Sequence, residues 1–239
     1  MASKHAWKVE LIPWDHLNPD HVERMYDQRI ACGWRSDEVP GWVESAKRGG
    51  RIFYWIIFSD MLPEREELEQ KHTDIYPKES SPLEDTASEV RLVPRQPTSR
   101  KFLPIGHVAL DIHDADDDAQ LGLPSPGTVW IHQLYISYAL QGGGLGTAAM
   151  SKVETLATQE PMNATTMALD TMSKDMDLSP EHVEILEREL KSPVSRITKE
   201  EWYERQKYET YKRSSGYIYK SQDGVPIPLP VAYMKKTIG

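Results

Sequence analysis

Seven consecutive residues are the best placed to do chemistry. They are Gln141-Gly142-Gly143-Gly144-Leu145-Gly146-Thr147, set between an apolar, β-rich run and a stretch with helical periodicity. Glycines at such a junction let the backbone approach an anion closely, and the helix start offers unpaired N–H groups and a favourable dipole. A pyrophosphate is the natural occupant, and the competing reading is a tightly packed loop that holds nothing. Just upstream, His132 lies within residues 128–137 (TVWIHQLYIS), the strongest strand signal in the chain. An unperturbed imidazole titrates near pH ~6.5, so His132 is the candidate proton acceptor. Simple alternation puts it on one face with Leu134 and Ile136. His107, beside Gly106, reads as structural. His113 precedes Asp114, Asp116, Asp117 and Asp118, but the spacing matches no ligand pattern and no metal is expected.

Two anion ligands compete for the glycine loop. Gly144-x-Gly146-x-x-Ala149 matches a dinucleotide-binding pattern, and Asp170 ends the next strand at about the expected distance. In that pattern the first glycine follows the strand almost at once, whereas here seven residues, 137–143, intervene. The motif strand also arrives after three others, and too little chain follows to complete a doubly wound sheet. That reading is the runner-up.

The elements that must position these residues follow from periodicity and punctuation. Residues 6–12 alternate as a short strand. Asn18 and Pro19 start a helix that runs to Cys32 and can end at Gly33. Pro40 opens a shorter helix with Trp42, Val43 and Ala46, closed by Gly49 and Gly50. Residues 52–59 form a buried strand and 102–112 another, followed by an acidic turn at 113–118. Residues 145–158 carry Ala149, Met150, Val153, Leu156 and Ala157 on one helical face, and 165–170 return to strand. Thr198 and Glu201 form a capping-box start for a helix expected to reach about Arg213. Gly216 then turns the chain into 217–220, and 228–235 is the closing strand. Residues 63–100, rich in Pro, Ser and charge, read as an inserted surface segment, partly mobile. Residues 172–199 read as a second insertion, with one amphipathic helix begun at Ser179 and Pro180. What remains is an α/β sandwich around a central mixed sheet, expected as one domain over 1–239.

Composition narrows the function classes. The 239 residues are 39% hydrophobic and 27% charged, ordinary for a globular chain. A net charge of −9 argues against a nucleic-acid surface, which needs a basic footprint. The single cysteine, Cys32, can form no intrachain disulfide. No signal-like or membrane-length apolar run is visible, so no membrane partner is expected and cytosol is the expected compartment.

The loop sequence resembles the Q/R-x-x-G-x-G/A signature of the GNAT N-acetyltransferase superfamily. Leu134-Tyr135-Ile136-Ser137 is similar to that family's fourth strand, and the element order is similar to its fold. The resemblance implies acetyl-coenzyme A as cosubstrate, with Gln141, Gly142, Gly143, Gly144, Leu145, Gly146 and Thr147 around the phosphates. It implies that Leu134, Tyr135 and Ile136 lie beside the pantetheine and acetyl group through exposed strand backbone. Acetyl transfer to an amine then needs a base, an oxyanion donor and an acid for the thiolate. His132 is the expected base, and a backbone N–H near Leu134 the expected oxyanion donor. Residues 130–136 also resemble the same strand of serotonin (arylalkylamine) N-acetyltransferases, where two histidines relay the proton. His132 aligns with the second, and Trp130 replaces the first. The family's acid is a tyrosine in an F-Y-x-x-x-G-F-like segment, which implies Tyr211 here, or Tyr208 one helical turn back. Trp34 and Trp42 fall where the family builds its acceptor pocket. The expected activity is acetylation of a small primary amine by direct attack in a ternary complex. The alternatives are a protein N-terminus or lysine as acceptor, and a domain that binds coenzyme A without turnover.

Overall fold

Short-range signals fix the first half of the chain. The structure, a computed structural model, describes residues 6–175, 183–184, 187, 197–220 and 226–239. Strand β1 (Val9–Pro13) leads to helix α1 (Pro19–Cys32). The Asn18 side chain caps that helix by accepting from the Asp20 N–H at 2.9 Å. Gly33, at φ 83°, ends it in the left-handed conformation that lets its N–H reach back to Arg29 and Ile30. Helix α2 (Val39–Lys47) and strand β2 (Arg51–Phe58) follow, every β2 residue after Arg51 being buried.

Helix α3 (Arg65–Ile75) and four two-residue strands come next, β3 (Leu83–Glu84), β4 (Glu89–Val90), β5 (Val93–Pro94) and β6 (Lys101–Phe102). Then come β7 (Gly106–Asp111), α4 (Ala115–Gln120), β8 (Thr128–Ile136) and α5 (Leu145–Ala157). The remainder holds β9 (Thr166–Met172), α6 (Lys199–Glu204), β10 (Glu209–Lys220) and β11 (Pro226–Thr237).

The chain forms two compact units, Met1–Thr165 with Ile238–Gly239, and Thr166–Thr237. In the first, β1, β2, β7 and β8 pair antiparallel in that order. Ile12, Phe53, Trp55, Ile57 and Ala109 share one face and pack with Met25 of α1 and Val39, Trp42 and Ala46 of α2. Burying one such aromatic contributes about 1.5–3 kcal/mol, so this cluster is what docks the two helices. Helix α5 packs on β1 and β8 and turns Leu145, Ala148, Ala149, Met150, Val153 and Ala157 inward. In the second unit, β11 pairs antiparallel with both β9 and β10.

Four expectations are revised. Residues 63–100 are not wholly at the surface: Leu83 joins the core, and His72, Glu79, Asp85 and Ala87 are buried. Asp85 accepts from Arg95 and Thr98, so a buried carboxylate anchors a stretch with few apolar residues. The acidic turn at 113–118 contributes most of α4. The capping box at Thr198 and Glu201 forms as read, but α6 stops at Glu204 and Lys207 takes φ 72°. The helix therefore never reaches Arg213, because 209–220 pair with β11 instead. Gly216 lies inside β10, at an irregularity between Ser214 and Tyr217, and makes no turn. The helix read from Ser179 and Pro180 falls on residues outside those described. Among the described residues no helix is long and apolar enough to cross a membrane.

Candidate active site

Strand β8 is irregular where chemistry was expected. Asp111 pairs with Trp130, Leu110 with Ile131 and Ala109 with His132, but His107 pairs with Tyr135 and Gly106 with Ile136. Gln133 and Leu134 thus stand opposite Val108 alone, a bulge, with Gln133 at φ 52°. Such a bulge takes backbone groups out of the ladder and resets the alternation. His132 therefore shares its face with Tyr135, and Ile136 falls on the opposite one, which corrects the simple alternation. That shared face is the one α1 and α2 cover, since Ala109 lies on it.

Tyr135 and Ile136 are buried as side chains and Leu134 half-buried. The Tyr135 ring lies 5.4 Å from His107 and 5.8 Å from Tyr138, and burial pushes its hydroxyl pKa well above the ordinary value. His107 is fully buried and bonds Gln28 Oε1 at 2.8 Å. Burial, and then Arg29, hold its imidazole well below the usual range, so it is a neutral core residue.

The loop after β8 is a tight turn into α5. Gly142 takes φ 87° and Gly144, the N-cap, φ 77°, conformations that glycine adopts without strain. Leu145 is buried and pins the start of the helix, while Gln141, Gly142 and Gly143 are exposed. The first α5 bond runs from the Ala148 N–H to the Gly144 carbonyl at 3.0 Å. The N–H groups of Leu145, Gly146 and Thr147 thus have no intrahelical acceptor, the geometry that receives an anion. The Gln141 side chain donates back to the Ile136 carbonyl at 3.1 Å and staples the loop to the strand. Sequence reasoning missed Lys8, whose Nζ donates to the Gly143 carbonyl at 3.3 Å. No local signal joins residues 135 positions apart.

His132 has a partner the sequence did not reveal. Its Nδ1 lies 2.6 Å from Asp111 Oδ2. Arg51 forks the same carboxylate, Nε to Oδ1 at 2.6 Å and Nη2 to Oδ2. Burial alone would raise the Asp111 pKa, but the hydrogen bonds from His132 and Arg51 win and hold it below the usual range. Trp130, buried and donating to Asp118 Oδ1 at 2.8 Å, stacks on His113 at 4.7 Å and 18°. The Trp130 and His132 rings are 5.9 Å apart at 16°. Burial and then His132 lower the His113 pKa, against the pull of Asp111, Asp118 and Asp117. Asp111, His113 and His132 each bring a ligand-type atom within 4.8 Å of the others. The Arg51 guanidinium already fills the carboxylate, however, and its charge opposes a cation there.

The candidate tyrosines lie in the second unit, and the correction to α6 changes both. Tyr208 precedes β10 and is buried, its ring 5.7 Å from Tyr203 and under Lys236 Nζ at 5.4 Å. Tyr211 is the extra residue of a bulge between Thr210 and Lys212, with Lys235 Nζ 5.1 Å over its ring. They are not one helical turn apart. Trp42 is core, 3% exposed with Arg51 and Arg29 guanidinium carbons 5.5 and 5.6 Å from its ring, whereas Trp34 is half-buried.

The model of the acetyltransferase (GNAT) family matches residues 54–177, more than half of the chain, from β2 through the glycine loop to β9. The protein belongs to the GNAT acetyltransferase family. Membership makes it an acetyl-coenzyme A-dependent N-acetyltransferase. No curated protein matches the sequence. Among solved structures, Arabidopsis thaliana NAA60 in complex with a bisubstrate analogue aligns with a TM-score of 0.52 at 13% identity, over 97% of this chain and 99% of that one. The aminoglycoside 6'-N-acetyltransferase from Enterococcus faecium aligns with a TM-score of 0.51 at 13% identity, over 96% and 97%. At such identities these alignments show that the GNAT fold extends along the chain, and nothing about the acceptor.

Proposed function

We propose that this GNAT enzyme acetylates a small primary amine by direct attack in a ternary complex, with His132 as the base. The amine nitrogen attacks the thioester carbonyl carbon, the C–S bond breaks, and the nitrogen gives its proton to His132 Nε2. A backbone N–H freed by the bulge at Gln133 and Leu134 steadies the oxyanion. The pantetheine runs along the backbone of 134–136, and the pyrophosphate sits on the N–H groups at the start of α5, within 141–147. The departing thiolate is protonated by solvent and leaves as coenzyme A. The observation that carries the reading is His132 beside the β8 bulge with its Nδ1 against a buried carboxylate, an arrangement that selects the tautomer whose lone pair is on Nε2.

The local resemblance of 130–136 to serotonin N-acetyltransferases makes arylalkylamines the first acceptors to try. The test is coenzyme A release from acetyl-coenzyme A with a panel of arylalkylamines, polyamines and aminoglycosides, beside peptides with free N-termini or lysines. Turnover of a small amine supports the reading. Turnover of peptides alone overturns the acceptor class, and binding of acetyl-coenzyme A with no turnover of any amine overturns catalysis.

A further inference from the structure

We propose that Arg51 and Asp111 are positioning residues for His132, acting as a fixed relay of charge through three adjacent strands; this rests on His132 being the base. The placement follows from the sheet. Arg51 and Asp111 are direct cross-strand partners of β2 and β7, and Asp111 is the direct partner of Trp130 on β8. His132 is two residues along from Trp130 on the same face, diagonally across from Asp111, within reach of a long side chain. The result is an Nδ1 to Oδ2 distance of 2.6 Å at a carboxylate that is 5% exposed.

Each group does one task. Asp111 accepts the Nδ1 proton, so Nε2 is the nitrogen with an electron pair to take the amine's proton. Once the imidazolium forms, the carboxylate 2.6 Å away stabilises its charge without taking the proton itself. Arg51 keeps Asp111 ionised and fixes both oxygens, since a guanidinium forks a carboxylate in one plane. Arg51 is itself held, its guanidinium carbon 5.5 Å from the Trp42 ring and 5.8 Å from Phe53. The stack of His113, Trp130 and His132 limits rotation of the imidazole. Among the described residues, His113, Asp117 and Asp118 also lie near the pair, the first following β7 and the others on α4. Arg51 and Asp111 carry no sequence signature of this task, because they are 60 residues apart.

The test is a double-mutant cycle on acetyl transfer with Asp111→Asn, His132→Ala and the pair together. An asparagine amide donates to Nδ1 and so selects the wrong tautomer. In the His132 background, Asp111→Asn is expected to lower kcat roughly 100-fold or more, with the KM for acetyl-coenzyme A unchanged. In the His132→Ala background the same change is expected to cost almost nothing further. The acid limb of the kcat/KM profile moves to lower pH in Asp111→Asn, because a carboxylate that favours the charged imidazole is gone. Arg51→Lys, which keeps the charge and loses the fork, is expected to give a smaller loss and guards against misfolding in the asparagine variant. Equal losses in both backgrounds, or no loss in either, would overturn the relay while leaving the base intact. Full activity of His132→Ala would overturn the base reading and the relay with it.

Discussion

The Lys8 ammonium donates to the Gly143 carbonyl at 3.3 Å, which places a cation against the loop that opens α5. Residues 141–147 contain no basic side chain, so within the loop itself only the helix dipole and the N–H groups can attract an anion. A lysine there can exchange the carbonyl for a phosphate oxygen at little cost. Lys8→Gln is expected to raise the Kd of acetyl-coenzyme A roughly 3- to 10-fold at low salt, with the gap closing as salt screens the pair. Calorimetric titration at two ionic strengths measures it, and equal affinities at low salt would remove Lys8 from the coenzyme site.

Gly106 sits where no other residue fits. A Cβ built on it would lie 2.1 Å from the Tyr135 carbonyl oxygen and 3.1 Å from Ile136 Cα, both backbone atoms of β8. Gly106→Ala must therefore push β7 and β8 apart next to the bulge. The expected cost is about 2–3 kcal/mol in denaturant unfolding, with a raised KM for acetyl-coenzyme A. An unchanged unfolding midpoint would contradict the close approach.

Gln133 pays for the bulge with its φ of 52°. The left-handed region is unfavourable for L-residues, and most so for a β-branched one. Gln133→Val is expected to destabilise by about 1 kcal/mol and Gln133→Gly to be neutral or stabilising. Thermal unfolding of both variants reads the sign, and a more stable valine variant would mean that the register continues without interruption.

Glu200 anchors the second unit. It is buried and accepts from both Arg213 Nη atoms at 2.6 and 2.8 Å, from Thr210 at 2.7 Å and from the Lys174 N–H at 2.8 Å. Burial opposes its charge, but these hydrogen bonds bring its pKa down from 4.5 to about 2. A folded-state pKa below the unfolded one stabilises the fold above about pH 4.5, and that contribution is lost as pH falls toward 2. Glu200→Gln is expected to cost roughly 3 kcal/mol at pH 7 and to flatten stability between these limits. Urea unfolding across the range checks it, and an unaltered pH dependence would exclude Glu200 as a source of acid sensitivity.

Several parts of the fold were legible because their signals are local. Asn18 and Pro19 start α1 and Gly33 ends it through contacts within one helical turn. The glycine run marks the turn into α5, and Thr198 with Glu201 closes a capping box over four residues. The same capping box could not say where α6 ends. The sequence from Glu209 to Arg213 is compatible with helix, and it became strand because β11 offered it a partner. The alternation rule failed at Gln133 for a related reason, since nothing in TVWIHQLYIS marks the residue at which two stand opposite one.

By itself, the sequence determined the resemblance to the family, the α/β class, the glycine loop that opens a helix and the one histidine placed on the strand before it. These depend on periodicity, glycine freedom and helix termini, all of which act over a few residues. Only the tertiary structure decided which face of β8 His132 uses, that Asp111 and Arg51 stand behind it, that Lys8 reaches the loop, and that Trp42 is core. Each of those depends on strands and helices meeting across tens of residues, where pairing and burial, not local preference, set the energy.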